Sequence, residues 1–202
     1  MKYIAIIDYG MGNLRSIQKA LEFLGYRAEV TDKKNKIRNA SSVILPGVGA
    51  FPKAMEELEK RGLVETVKNG VKSGKPFLGI CLGMQILFEE SDEFGLSKGL
   101  GIVRGKVQRF SGKLKIPHMG WNEIELSKRP DFLKDFPKKA FVYFVHSYYC
   151  EPEDKKVILS RTFYGKSFVS GIYRENLIAC QFHPEKSQKI GLEFLNKFSR
   201  LI

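Results

Sequence analysis

The ten residues PFLGICLGMQ, positions 76–85, decide the fold and raise the first functional question. An apolar run ends at Cys81, which has a glycine two positions away on each side, Gly79 and Gly83. A thiol that only packs in a core does not need small neighbours, whereas a thiol presented at a sharp turn does. We therefore predict a buried strand that ends at Cys81 and turns abruptly into a helix beginning near Met84.

The order Gly-Ile-Cys-Leu-Gly has the form of a nucleophile elbow, with cysteine where hydrolases often place serine. A helix N-terminus beneath the sulfur would favour the thiolate, which is a minor form of a free thiol at neutral pH. The alternative is a buried structural cysteine with incidental glycines, and this stretch alone does not separate the two.

The chain before this stretch alternates strands and helices. The apolar runs predict strands at residues 3–8, 27–31 and 42–45. Asn13 is placed to cap a first helix, and Gly25 to end it. Apolar residues at helical spacing mark this helix and later helical segments: Leu14, Ile17, Leu21, Leu24, Met55, Leu58, Val64, Val67 and Val71. This order favours a largely parallel sheet between helices.

The chain after the stretch reads as strands with little helix until its end. We predict strands at residues 103–110, 121–126, 141–149, 157–164, 167–173 and 177–182, and an exposed connection at 127–139. A last helix carries Ile190, Phe194, Leu195 and Phe198 on one stripe. With no linker visible, residues 1–202 are expected to form a single α/β domain. Its open, mostly parallel central sheet is flanked by helices and has an adjoining antiparallel sheet.

Composition narrows the class of protein. The 202 residues are 43% hydrophobic, and the net charge of +12 comes from lysines spread along the whole chain, so nucleic-acid binding is not expected. The first apolar run stops at Asp8, and no run is long enough to span a membrane. Three cysteines without metal-type spacing predict neither a disulfide framework nor a metal site, and no cofactor is expected. A cytoplasmic location is the plain interpretation.

A cysteine nucleophile needs a base, and His183 is the best-placed histidine of three. It lies in Gln181-Phe182-His183-Pro184-Glu185-Lys186, at the end of an apolar strand. Residues two apart in an extended chain point to the same side, so Glu185 could orient the His183 ring. His118 and His146 have no carboxylate at that spacing, and His118 is expected to be satisfied by backbone partners.

Two glycine-containing loops follow strands of the first half. In Pro46-Gly47-Val48-Gly49-Ala50-Phe51 the glycines would let backbone N–H groups approach a ligand, although an ordinary turn has the same composition. Gly10-Met11-Gly12-Asn13 lacks the third glycine of a dinucleotide-binding fingerprint, which excludes that function.

Together these motifs resemble the class I (triad) glutamine amidotransferases. The resemblance runs nearly end to end, through DYGMGN, LPGVGAF, GICLGMQILFEES, IPHMGWN, YFVHSYY and QFHPEKS. Within the family the chain is most similar to the glutaminase subunits of imidazole glycerol phosphate synthases, which serve histidine biosynthesis. The glutaminases of chorismate-using synthases typically have His at the position of Met84 and Ser at that of Lys186.

The resemblance implies a function for each motif. Cys81 would attack the side-chain amide of L-glutamine, His183 would transfer protons, and Glu185 would orient His183. The oxyanion would bind the backbone N–H of Leu82 and one from the Val48-Gly49 peptide. Four further residues match positions that hold the substrate: Gln85, Glu93 and the main chain of Ser147 and Tyr148.

The resemblance also implies a partner, because nothing in this chain is suited to use ammonia. In the family a cyclase subunit with a (β/α)8 barrel docks over the site, near the positions of Asn13, Trp121 and Lys186. A core tryptophan and a solvated lysine are the alternatives for the last two. Two other functions stay open: a glutaminase that serves a different synthase, and a basic binding protein without enzymatic activity.

Overall fold

A computed structural model describes residues 2–202. Six α-helices occupy Leu14–Phe23 (α1), Lys34–Asn39 (α2), Phe51–Lys60 (α3), Val64–Lys72 (α4), Leu82–Gln85 (α5) and Gln188–Ser199 (α6). Short 3-10 helices lie at Asp131–Leu133, Lys155–Val157 and Pro184–Lys186. The strands of the first half are Ile4–Ile7 (β1), Ala28–Thr31 (β2), Ser42–Leu45 (β3), Phe77–Ile80 (β4), Phe88–Ser91 (β5) and Ser97–Lys98 (β6). The second half contributes Val103–Arg109 (β7), His118–Leu126 (β8), Lys139–His146 (β9), Tyr148–Pro152 (β10), Ile158–Tyr164 (β11), Lys166–Arg174 (β12) and Leu177–Cys180 (β13).

The predicted fold class is confirmed: helices flank a mixed sheet whose centre is parallel. The strands are ordered β2-β1-β3-β4-β13-β12-β10-β7-β5-β6, and β2, β1, β3, β4 and β13 pair in parallel. Strands β1, β3, β4 and β13 are buried along their whole length, as expected for parallel strands covered by helices on both faces.

The antiparallel strands continue this sheet. Strand β13 pairs in parallel with β4 on one side and antiparallel with β12 on the other. The sheet then branches, because β12 pairs with both β10 and β11, and β11 leads on to β8 and β9. The two halves of the chain therefore share one hydrogen-bonded framework within the described residues.

The carboxyl ends of the parallel strands bring the predicted motifs to one edge of the sheet. The loop at residues 8–13 follows β1, the loop at 46–50 follows β3, Cys81 follows β4, and residues 181–186 follow β13. Ligands of open α/β sheets bind at this edge, so the topology alone assembles a candidate site from four separate segments.

Several sequence predictions need correction. The segment 127–139 is not simply exposed, because Leu133 and Phe136 are buried in the core that also contains Phe194. The strand predicted at 141–149 is two strands, since the chain passes at Ser147 from pairing with β8 to pairing with β7. Helix α2 and the short strands β5 and β6 were not predicted, because short segments carry little periodicity.

Candidate active site

Cys81 lies on a strained turn between β4 and α5. Its φ of 54° is in the left-handed region that side chains rarely adopt. The helix begins at Leu82, directly after the cysteine, so the prediction of a start near Met84 is wrong by one half-turn. A Cβ on Gly83 would overlap the carbonyl oxygen of Leu45, and one on Gly79 would lie 2.9 Å from the carbonyl oxygen of Gly83. Close backbone approach therefore explains both glycines.

His183 and Glu185 form a buried pair beside the cysteine. His183 Nδ1 lies 2.8 Å from Glu185 Oε1, and both side chains are almost wholly inaccessible to solvent. Burial by itself lowers the pKa of His183, but the Cys81 sulfur and the Glu185 carboxylate raise it more strongly, to about 10. His183 Nε2 has no hydrogen-bond partner among the described residues.

Asn13 contacts the same carboxylate. Its Nδ2 lies 3.4 Å from Glu185 Oε1, and its Oδ1 accepts a hydrogen bond from the Ser16 hydroxyl. Asn13 occupies the N-cap position of α1 as predicted, but its side chain caps no backbone N–H. Its amide is therefore directed towards the carboxylate instead of the helix.

A cavity of about 240 Å³ opens above the sulfur. It brings Cys81 and His183 together with all of the predicted substrate and oxyanion residues, which are Val48, Gly49, Leu82, Gln85, Glu93, Ser147 and Tyr148. Pro117, Val145 and His146 complete its lining. A larger cavity of about 450 Å³, lined by Lys68, Lys72 and Arg174 among others, lies at the opposite end of β13 and contains none of these residues.

Gln85 and Glu93 are held in defined orientations at this cavity. Gln85 Nε2 donates to the Tyr148 carbonyl and to Gln181 Oε1, each at 3.0 Å, which uses both of its protons. Its Oε1 is therefore the atom available to a ligand. Glu93 accepts a hydrogen bond from the Phe51 N–H at 2.6 Å. Burial raises the pKa of Glu93, although that hydrogen bond opposes the effect.

The loop after β3 is anchored beneath the cavity. The Tyr9 hydroxyl donates to the Pro46 carbonyl at 2.8 Å, and a Cβ on Gly47 would overlap that hydroxyl. Gly49 has a φ of +105°, which favours glycine. The loop thus passes close to the elbow with Val48 and Gly49 at the cavity wall, and an ordinary exposed turn does not describe it.

Gln181 was not among the predicted site residues. Its side chain is fully buried, and its Nε2 lies 3.6 Å from Cys81 Sγ. The sequence carried a signal for it, because Gln181 precedes His183 by two residues in an extended segment and so faces the same side. The prediction considered only partners of the histidine and overlooked the amide.

The other two histidines bond to each other. His118 Nδ1 lies 2.9 Å from His146 Nε2, and His118 Nε2 lies 3.1 Å from Asn122 Nδ2. The prediction that backbone groups satisfy His118 is therefore wrong. His146 Nδ1 lies 2.7 Å from the carbonyl oxygen of Tyr148, so this pair ends at the wall of the cavity.

Trp121 and Lys186 meet at the surface around one tyrosine. The Trp121 ring packs edge-on against Tyr143, and Lys186 Nζ lies 5.9 Å from the centre of the Tyr143 ring. Trp121 is 47% exposed, so the alternative of a core tryptophan is wrong. Further exposed apolar side chains lie on β8, β9 and the neighbouring β11. With the half-buried Tyr143 they form what we term the β8 face: Met119, Trp121, Phe141, Tyr143 and Phe163.

Residues 2–202 contain no group of three or more His, Cys, Asp or Glu side chains placed to hold a metal ion. The same residues include no helix whose length and apolar character suit a membrane crossing.

A comparison with models of known protein families identifies the class of protein to which this chain belongs. The model of the family described as glutamine amidotransferase class-I matches residues 5–200. The chain therefore belongs to the class-I glutamine amidotransferase family, which confirms the resemblance read from the motifs.

Individual relatives within that family define a narrower group. The imidazole glycerol phosphate synthase subunit HisH of Syntrophotalea carbinolica is 50% identical over 202 residues, covering 96% of this chain and 98% of its own. The HisH subunit of Aquifex aeolicus is 50% identical over 196 residues, covering 96% and 95%. This chain groups with the HisH subunits.

Solved structures share the fold at lower identity. The structure of PurLQS from Thermotoga maritima aligns with a TM-score of 0.75 at 21% identity, covering 100% of this chain and 98% of that one. A glutamine amidotransferase structure aligns with the same TM-score at 20% identity, covering 98% and 97%.

Proposed function

We propose that this chain is the glutaminase subunit of an imidazole glycerol phosphate synthase, acting as one domain. It hydrolyses L-glutamine to glutamate and ammonia. The observation that carries the proposal is the meeting of Cys81, His183 and the substrate-facing groups of Gln85 and Glu93 at one cavity. The similarity to HisH subunits over almost the whole chain supports the choice of synthase.

The first half-reaction forms a thioester at Cys81. The thiol proton passes to His183 Nε2, a state that the raised pKa of His183 favours. The sulfur electron pair forms a bond to the amide carbon of glutamine, and the carbonyl electrons move to oxygen. When the oxyanion collapses, the C–N bond breaks and the nitrogen takes the proton from His183, so ammonia leaves.

The second half-reaction returns the enzyme to its starting state. Water attacks the glutamyl thioester while His183 accepts a proton from it. The C–S bond then breaks with its electron pair on sulfur, the sulfur recovers the proton from His183, and the new carboxyl group of glutamate releases its proton to water. Glu185 holds the ring of His183 through Nδ1 and keeps Nε2 directed at the reacting atoms in both halves.

The oxyanion of both steps is assigned to backbone donors. The first N–H groups of a helix have no partner within that helix, which makes the N–H of Leu82 available directly after the nucleophile. The peptide of Val48 and Gly49 supplies the second donor from the opposite wall. Losing one such donor typically costs on the order of a hundredfold in rate.

The substrate's amino-acid end is assigned to the far side of the cavity. The Glu93 carboxylate and Gln85 Oε1 are both acceptors, which suits the α-ammonium group of glutamine. Main-chain groups of Ser147 and Tyr148 line the same wall and suit the α-carboxylate.

The ammonia is passed to a cyclase subunit with a (β/α)8 barrel, which docks on the β8 face. This face joins the cavity mouth because Val145, which pairs with Met119, also lines the cavity. Exposed aromatic and methionine side chains are typical of the centre of protein interfaces, and Lys186 adds a cation beside them. Asn13 is assigned to the same interface. The three free thiols support a reducing compartment, so we place this activity in the cytoplasm.

The test uses diazo-oxo-norleucine, an electrophilic glutamine analogue, with peptide mass spectrometry. The full chain is labelled alone and in the presence of a cyclase subunit with its nucleotide ligand. We expect labelling of Cys81, faster in the complex, and none in Cys81→Ser. A folded chain that is never labelled at Cys81 would refute the enzymatic function.

A separate measurement tests which synthase this chain serves. Glutamate release should rise when the cyclase subunit binds, and a negative charge introduced at Trp121 (Trp121→Glu) should weaken that binding. A glutaminase that is activated only by a different synthase would retain the chemistry and contradict the partner.

A further inference from the structure

Cys81 Sγ has a hydrogen-bond donor besides the residues already assigned to the chemistry. Gln181 Nε2 lies 3.6 Å from the sulfur, within the range of N–H···S hydrogen bonds. Gln181 is fully buried and follows the last residue of β13, so its backbone is fixed by the sheet. Its N–H also donates to the Ser170 carbonyl at 2.9 Å, which prevents the residue from swinging away.

The orientation of the Gln181 amide is determined by its neighbours. The Tyr148 carbonyl oxygen only accepts, so the Gln85 atom that contacts it must be the amino group Nε2. That same Nε2 lies 3.0 Å from Gln181, which must therefore present its oxygen there. The amino group of Gln181 is left to face the sulfur.

The Tyr148 carbonyl is itself held from a second direction. His146 Nδ1 donates to it at 2.7 Å, and the chain of donors continues back through His118 to Asn122. Asn122 is held in turn, because its Nδ2 also donates to the Phe163 carbonyl and its Oδ1 accepts the Glu123 N–H. Every amide and ring in this network therefore has a single allowed orientation.

An amide N–H can only donate, so this arrangement favours the form of the sulfur that accepts best. The thiolate is that form, and a hydrogen bond to an ionised acceptor is stronger than one to a neutral thiol. Apart from His183 Nε2, which takes the thiol proton in the reaction, the acceptor near the sulfur is the Val145 carbonyl, at the long distance of 4.0 Å. The contacts of the sulfur are thus better for a thiolate than for a thiol.

We propose that Gln181 is a further catalytic residue, which donates a hydrogen bond to the Cys81 thiolate, and that Gln85 sets the direction of its amide. This role extends the proposed glutaminase function and rests on it, but the test measures the reactivity of the Cys81 sulfur and needs no glutaminase activity. Gln85 then has two duties, since it presents Oε1 to the substrate and holds Gln181 through Nε2.

The test measures the rate of Cys81 alkylation by chloroacetamide against pH, with peptide mass spectrometry on the full chain. In Gln181→Met, which keeps the length of the side chain without a donor, the midpoint of this pH profile should move up by about one pH unit. The buried thiols of Cys150 and Cys180 report unfolding if they react. The matched control is Gln18→Met on helix α1, whose midpoint should not move.

A second substitution tests the orientation without removing the amide. In Gln85→Glu the carboxylate can only accept, so the Gln181 amide should turn its amino group towards residue 85 and its oxygen towards the sulfur. The alkylation midpoint should rise as it does in Gln181→Met. Gln181→Leu, which removes the donor without adding a charge, serves as the alternative variant if Gln181→Met does not fold.

The outcomes separate this inference from the proposed function. An unchanged midpoint in both Gln181→Met and Gln85→Glu, with Cys150 and Cys180 protected, would overturn the role of Gln181 even if the chain hydrolyses glutamine. A raised midpoint in a chain without glutaminase activity would support the hydrogen bond and contradict the glutaminase. A purely structural role of Gln181 predicts lower stability with the same midpoint.

Discussion

Acid should destabilise this protein through one buried pair of histidines, His118 and His146. Burial lowers the pKa of His118 to about 4. Burial also lowers the pKa of His146, to about 3; the hydrogen bond to the Tyr148 carbonyl opposes this effect, and repulsion from His118 and His183 adds to it. The aromatic surroundings explain the burial effect, since His118 stacks between Phe144 and Tyr164. In each ring the nitrogen that would take an added proton already accepts a hydrogen bond, so the added proton would point at the donor of that bond.

The sign and size of the effect follow from linkage. Both folded pKa values lie below the unfolded value of about 6.5, so the unfolded state binds more protons and stability falls as the pH drops below 6.5. Between pH 7 and pH 5 each histidine removes about 2 kcal/mol, or about 4 kcal/mol for the pair. His183 opposes this loss weakly, because its raised pKa keeps the folded form protonated while the unfolded form still takes up its proton between pH 7 and pH 5. Its own stabilising contribution is lost as the pH rises from 6.5 towards 10.

The assay is urea denaturation at several pH values, with His146→Gln as the comparison. Glutamine can donate to the Tyr148 carbonyl and accept from His118, so it replaces both hydrogen bonds without titrating. The loss of unfolding free energy between pH 7 and pH 5 should be smaller in His146→Gln than in the unchanged protein by about 2 kcal/mol. Glu93, whose raised pKa acts in the opposite direction, is present in both proteins and cancels in the difference. An equal pH slope in both proteins would refute the assignment of a neutral buried pair.

Three further changes test the elbow and the site. Gly83→Ala forces a Cβ onto the Leu45 carbonyl, which should cost about 3 kcal/mol of stability and lower the Tm by about 6–12 °C. The control Gly70→Ala, in helix α4, should be tolerated, and equal Tm values for the two variants would contradict this reasoning. Glu185→Gln removes the charge that stabilises the imidazolium, so kcat for glutamate release should fall on the order of a thousandfold with little change in KM; an unaffected kcat would remove Glu185 from the mechanism. Glu93→Gln should raise the KM for glutamine more than it lowers kcat, and the reverse pattern would place Glu93 in the chemistry instead.

Short-range patterns were sufficient to predict the candidate nucleophile and its base. The glycines around Cys81 and the two-residue spacing of His183 and Glu185 are local, because a turn and an extended segment depend on a few neighbouring residues. The same holds for strand β3, whose predicted bounds are those of the structure. The parallel order then followed from the alternation of strands and helices.

Contacts between distant residues were decided only by the tertiary structure. The pair Gln181 and Cys81 is separated by 100 positions, and the pair His118 and His146 by 28. Each becomes adjacent because strands that are far apart in the chain are neighbours in the sheet, and strand order across a mixed sheet leaves no mark in local periodicity. The exposure of Trp121 was also decided by the tertiary structure, because it depends on which face of β8 the rest of the protein covers. The sequence by itself therefore determined the class of fold and predicted the candidate nucleophile and its base, whereas the arrangement of donors around the sulfur required the folded sheet.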